Sequence, residues 1–168
     1  MLPKGYKYLN THCLYQADVG LICPISYEAD GLTIQPFFNC SVTIQDQVIQ
    51  ELGAEWPVLT YEYIDKNLTC GDYLFVATNP LGLVGTVSVD RKGFLPYLGS
   101  LYITPRFRGF GQSKQLVAFA ETFVKESLKF GEVRLWCEES MLDFYLPFGY
   151  VYQCYEEVEG KCIMRKLI

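Results

Sequence analysis

The chain has 168 residues, 50% of them hydrophobic and 15% aromatic, with a formal net charge of −5. That length supports one domain around one core, and no run approaches the roughly 20 apolar residues of a membrane span. The negative charge argues against nucleic acid as a partner, since a phosphate-binding surface needs excess Lys and Arg, and it suits a cationic substrate such as an amine.

The start, Met1 to Lys7, lacks the apolar stretch and cleavage site of a signal peptide, so an intracellular, cytoplasmic setting is expected, without a membrane. The seven cysteines form no CxxC and have only His12 as an imidazole partner. Neither a zinc site nor a complete disulfide framework is supported, and buried free thiols are expected. The sequons at Asn39 and Asn67 read as chance in such a chain.

In chain order, residues 1–30 carry two strand-like stretches, Tyr6 to Tyr15 and Gly20 to Tyr27, that pattern alone does not assign. Leu32 to Phe38 reads as a strand, Thr43 to Leu52 as a helix with Gly53 at its C-terminal end, and Thr60 to Asn67 as a second helix. A Glu55-Trp56-Pro57 corner lies between them. Asp72 to Thr78, Leu83 to Asp90 and Leu95 to Ile103 alternate as a meander, with turns at Asn79 to Gly82 and at Asp90 to Gly93. A long helix follows from Gln112 to Lys129. The strand Glu132 to Cys137 must cross back and lie parallel to the strand before the helix. Ser140 is placed to cap a short helix with Asp143 near its third position. Val151 to Glu157 and Lys161 to Leu167 form a last hairpin turning at Glu159-Gly160. The fold class is α+β, with one mixed sheet.

The stretch most loaded with chemistry is Thr104 to Leu116, where strand pattern gives way to helix pattern. Gly109 and Gly111 permit backbone angles that a side chain forbids. The first free N–H groups of the helix carry the positive end of its dipole, and Arg106, Arg108 and Lys114 add charge. This predicts a diphosphate site. The dinucleotide fingerprint would need glycine at Lys114, and the P-loop would need Gly-Lys followed by Ser or Thr. The pattern that fits is R-x-x-G-x-small, with Arg108, Gly111 and Ser113 after Ile103-Thr104-Pro105.

With that motif the chain resembles the GCN5-related N-acetyltransferase (GNAT) superfamily, whose form is V-x-P-x-x-R-G-x-G-x-G/A between a strand and a long helix. Here Ser113 replaces the final glycine or alanine. A second family-like motif is Phe144-Tyr145-Leu146-Pro147-Phe148-Gly149-Tyr150, and the element order over residues 32–168 is also similar. The resemblance implies a mixed, mostly antiparallel sheet with helices on both faces. It implies a GNAT domain at 31–168, with 1–30 as an N-terminal extension packed on it or adding to it.

The resemblance further implies acetyl-CoA as cofactor. Its pantetheine arm would lie along Leu101, Tyr102 and Ile103, and its pyrophosphate on Arg108, Gly109, Phe110, Gly111, Gln112, Ser113 and Lys114. The acetyl group would pass directly to a primary amine through a tetrahedral intermediate. Tyr145 is carried over as the general acid, a phenol of ordinary pKa ~10 giving its proton to a thiolate of ordinary pKa ~8.5. The family's usual glutamate before the motif is missing from Tyr97 to Leu101. A water chain, a carboxylate among Glu138, Glu139 and Asp72, or an amine of low pKa would replace it. Glu138 is the leading candidate.

Blander readings stand beside these. Tyr145 is one of 13 tyrosines and could be a core aromatic, His12 and the glutamates at 156, 157 and 159 read as surface, and Trp56 as a loop anchor or part of an acceptor groove. A non-catalytic coenzyme A binding or regulatory module is the competing function. The acceptor, as a small amine, polyamine, protein N-terminus or lysine, is left open, as is the oligomeric state, homodimer included.

Overall fold

The computed structural model describes residues 7–8, 13–16, 20–24, 27–29, 31–69, 71–92 and 95–168. Strands β1 (Lys7–Tyr8), β2 (Cys13–Gln16), β3 (Gly20–Pro24) and β4 (Tyr27–Ala29) lie in the unassigned N-terminal stretch. They are followed by β5 (Leu32–Pro36), α1 (Val42–Glu55), α2 (Tyr61–Thr69), β6 (Tyr73–Asn79), β7 (Gly82–Lys92), β8 (Leu95–Ile103) and α3 (Gln112–Glu126). β9 (Glu132–Cys137), α4 (Leu142–Tyr145), β10 (Val151–Glu156) and β11 (Lys161–Leu167) complete the chain. His12 and the end of the turn expected at Asp90 to Gly93 lie outside the described residues.

The main sheet runs β1-β4-β5-β6-β7-β8-β9-β11-β10, while β2 and β3 pair separately. Every pairing in it is antiparallel except β8 with β9, where the chain crosses over through α3. Alternation along the strands sends side chains to both faces, and both are covered. On one face Phe75, Val87, Val89 and Leu98 pack against Leu116, Phe119, Ala120 and Phe123 of α3. On the other, Leu74, Val76, Leu83 and Tyr102 pack against Val48 and Leu52 of α1 and Ile64 of α2. The mixed sheet with helices on both faces is the architecture expected from the sequence. Among the described residues no helix is long and apolar enough to cross a membrane.

Element boundaries differ in three informative places. α1 does not stop at Gly53: the Leu52 carbonyl accepts from Trp56 N at 2.7 Å, and Gly53 admits the Leu59 carbonyl 3.6 Å from where its Cβ would stand. α3 ends at Glu126, and Lys129 takes φ +61° beyond it. Ser140 caps nothing, because it lies inside a 3-10 turn, Glu139–Met141, that runs directly into α4.

Gly85 shows how tightly β7 and β8 are matched. An added Cβ would sit 2.3 Å from the Tyr102 carbonyl oxygen and 2.9 Å from Ile103 Cδ1. A backbone atom cannot swing aside as a side chain does, so Gly85→Ala should cost upward of ~3 kcal/mol. Urea unfolding of the variant checks it.

Candidate active site

The site begins with a fault in the sheet. β8 pairs with β7 from Leu95 to Ile103, but with β9 only at Tyr97↔Arg134 and Leu98↔Leu135. Beyond Leu98 the two parallel strands part. The cause is a bulge on β8: Ser88 faces Gly99 but Thr86 faces Tyr102, so β8 carries one extra residue. Ser100 takes φ +45°, and its carbonyl accepts from Thr86 Oγ1 at 2.7 Å. The backbone of Ser100 to Ile103 thus has β7 on one edge and a cleft of about 1120 Å³ on the other.

At the end of β8, Thr104 is anchored twice: its N–H donates to Val84 O at 2.9 Å and its hydroxyl to Glu51 Oε2 at 2.9 Å. Gly109 and Gly111 follow with φ of +84° and +85°, and nothing lies within 4 Å of a Cβ added to either. The backbone conformation, and no crowding in the protein, is what calls for glycine there. Gly111 caps α3 without any side-chain hydrogen bond. Gln115 N bonds Gly111 O at 3.3 Å, which leaves the amides of Gln112, Ser113 and Lys114 with no carbonyl of the helix to reach. Gln112 Oε1 is buried without a partner in the protein, an acceptor open to a ligand's donor.

Leu101, Tyr102, Ile103, Arg108, Gly109, Gly111, Gln112, Ser113, Glu138 and Tyr145 all line this one cleft. Phe110 and Lys114 are exposed and outside its lining. Arg106 is also outside it and donates to Leu81 O at 2.6 Å. Arg108 is less mobile than the sequence suggests: its Nε donates to Ile103 O at 2.9 Å and its guanidinium lies 5.6 Å from the Tyr102 ring centre.

On the opposite wall, Tyr145 ends α4 in a cluster with Phe144, Phe148 and Tyr150. Burial first, then the neighbouring Cys137, pushes its phenol up to about 12. Cys137 faces Cys162 across β9 and β11, and both are buried free thiols. Glu138 is ion-paired with Lys161 Nζ. Of the other two carboxylates considered, Glu139 and Asp72 are both outside the lining, and Asp72, just before β6, accepts from Arg91 N at 2.8 Å.

Of the cleft's other mouth the sequence reading offered Trp56 as part of a groove and missed its neighbours. Glu55, Trp56 and Tyr63, from the end of α1 and from α2, line it beside Tyr102. Trp56 stands edge-on to Tyr102 with centroids 6.5 Å apart. Its signal was the Glu55-Trp56-Pro57 corner, where a large aromatic sits in a loop.

A family model described as an acetyltransferase (GNAT) domain matches residues 43–164. No curated protein matches the chain. Among solved structures, a GNAT acetyltransferase from Staphylococcus aureus is 16% identical, with 81% of this chain and 98% of that one covered at a TM-score of 0.63. Escherichia coli ElaA is 20% identical over 80% and 97% of the two chains, with a TM-score of 0.59. A GNAT acetyltransferase from Elizabethkingia anophelis, solved with acetyl-CoA bound, is 14% identical over 83% and 99%, with a TM-score of 0.63. The fold is that of the acyltransferases with a splayed parallel pair. The chain belongs to the GNAT acetyltransferase family.

Proposed function

We propose that this protein is an acetyl-CoA-dependent N-acetyltransferase acting on a primary amine, with residues 31–168 as its acetyltransferase domain and 1–30 as an extension. The observation that carries the reading is the main-chain edge of Ser100 to Ile103, left open by β9 and leading to the amides that start α3. Acetyl-CoA is the acyl donor. Leu101 to Ile103 offer N–H and C=O groups to the amides of its pantetheine arm, and the amides of Gln112 to Lys114 hold its pyrophosphate at the positive end of α3. The buried, unpartnered acceptor Gln112 Oε1 takes no part in holding the pyrophosphate, itself an acceptor, and suits an N–H of the pantetheine arm.

The acetyl carbonyl then lies between β8 and Tyr145. A main-chain N–H at the splay stabilises the oxyanion of the tetrahedral intermediate, and Tyr145, held protonated by burial, gives its proton to the departing sulfur. Glu138 is the one of the three sequence candidates on the cleft wall. Its carboxylate is already bonded to Lys161, which offsets its charge, so we assign the drawing of the acceptor inward to Glu55 across the mouth. A carboxylate beside Trp56 and Tyr63 suits a cationic amine, whether a small amine, polyamine, lysine or protein N-terminus. The proposed setting is the cytoplasm.

The test is acetyl-CoA turnover, read as thiol release, over a panel of those four acceptor types, with thermal unfolding measured in parallel. At 100 times Kd acetyl-CoA should stabilise the protein by about 2.7 kcal/mol, and at least one amine should release thiol. Stabilisation with no turnover on any acceptor would leave a coenzyme-binding module. No stabilisation of a folded protein would overturn the proposal.

A further inference from the structure

This inference rests on the acetyl-transfer reading above and names the group that takes the amine proton. β8 carries no carboxylate from Tyr97 to Leu101, but the neighbouring strand supplies one. Ser88 pairs with Gly99 and Asp90 with Tyr97. A Cβ added to Gly99 would stand 2.7 Å from Asp90 Oδ2 and 2.8 Å from Ser88 Oγ. The Asp90 carboxylate therefore fills the space that a side chain of β8 would occupy.

Asp90, Ser88 and Gly99 lie behind the cleft lining, with Gly99 one residue from Ser100, which is part of it. Gly99 is the first residue beyond the last β8–β9 pair, so it stands at the vertex of the splay. Tyr97 shares its face by strand alternation, and the Tyr97 ring stacks on Trp136, a wall residue of the cleft, at 4.5 Å. Ser100, the next residue, also lines the cleft. Ser88 is 5% exposed, and its Oγ has no hydrogen-bond partner in the protein. A buried hydroxyl left open beside a carboxylate is suited to holding a water between them.

We propose that Asp90 is the terminal proton acceptor of the reaction, receiving the amine proton over one water held by Ser88. The alkylammonium gives a proton to that water as the water gives one to Asp90, and the free amine attacks the thioester carbonyl. The C–N bond forms, the C–S bond breaks, and Tyr145 protonates the sulfur. The second proton lost by nitrogen replaces the one Tyr145 gave, and the first leaves Asp90 for solvent.

Among the described residues, charged and titratable groups near Asp90 include Tyr97 across β8, Arg134 beyond it on β9, Asp72 on the β6 side, and Arg91 next to it. Arg134 Nε is buried without a partner and its Nη2 lies 3.8 Å from Glu132.

The test is the pH profile of Asp90→Asn. Its kcat/KM for the amine should fall about 100-fold at pH 7, and the deficit should close as pH approaches the amine's own pKa, where free amine needs no base. Acetyl-CoA should stabilise the variant as it does wild type. The exchange Asp90→Ser with Gly99→Asp returns a carboxylate to the same space from β8 and should recover most of the loss. An unchanged kcat/KM, a deficit equal at every pH, or an exchange variant that binds acetyl-CoA without recovery overturns the role of Asp90 alone. Wild-type protein that binds acetyl-CoA and acetylates no amine overturns the transferase reading and this inference with it.

Discussion

Replacing Tyr145 by Phe is expected to lower kcat about 100-fold while leaving acetyl-CoA-induced stabilisation intact. The hydroxyl is the only atom removed, and the ring keeps its contacts with Phe144, Phe148 and Tyr150. The phenol sits on the cleft wall with its pKa pushed up to about 12, by burial and then by Cys137. It therefore stays protonated through the whole working range, and kcat should show no alkaline fall from this residue below about pH 11. The shift also bears on stability. An unfolded tyrosine ionises near pH ~10 and the folded one near 12. The contribution is thus complete below pH ~10 and declines by roughly 1.4 kcal/mol per pH unit between there and 12. Tyr145→Phe should lose that slope in alkaline urea melts. A Phe variant that turns over at the wild-type rate would mean that the sulfur leaves without a proton from Tyr145.

Gly111→Asp should abolish coenzyme-induced stabilisation in a protein that still folds. Nothing lies within 4 Å of a Cβ at this position, so the new side chain meets no steric barrier. The φ of +85° is one that Asp adopts more readily than most residues, and Asp is a favoured residue at a helix N-cap. What changes is charge: a carboxylate would stand at the proposed diphosphate site and would take up the amides of the first turn of α3 itself. Wild type at 100 times Kd should gain about 2.7 kcal/mol, or roughly 5–10 °C in Tm for a chain of this size. Gly111→Asp should gain almost nothing, while Gly111→Ala, carrying only the backbone strain, should keep most of the shift. Equal shifts in all three would place the anion elsewhere.

The sequence by itself determined the parts whose information is local. The alternation in β6 to β8, the apolar repeat from Leu116 to Val124, and the glycines between strand and helix each concern residues close enough in the chain to share a face or a turn. These specify the sheet, the crossover helix and the glycine loop that opens α3. Helix ends were read less well, because Gly53 and Ser140 look like stop and start signals, whereas packing against Leu59 and an intervening 3-10 turn decide otherwise.

Only the tertiary structure decided what lies across the cleft. The extra residue at Ser100 parts β8 from β9 through a register that no pattern within β8 displays. Glu55 and Trp56 reach Tyr102 from a separate layer, Lys161 arrives from β11 to occupy Glu138, and Asp90 fills the gap above Gly99 from the adjacent strand. Periodicity states which face a side chain takes, but the strand register and layer packing set which distant side chains share that face. That is why the missing carboxylate of β8 was legible as an absence, and its replacement on β7 was not.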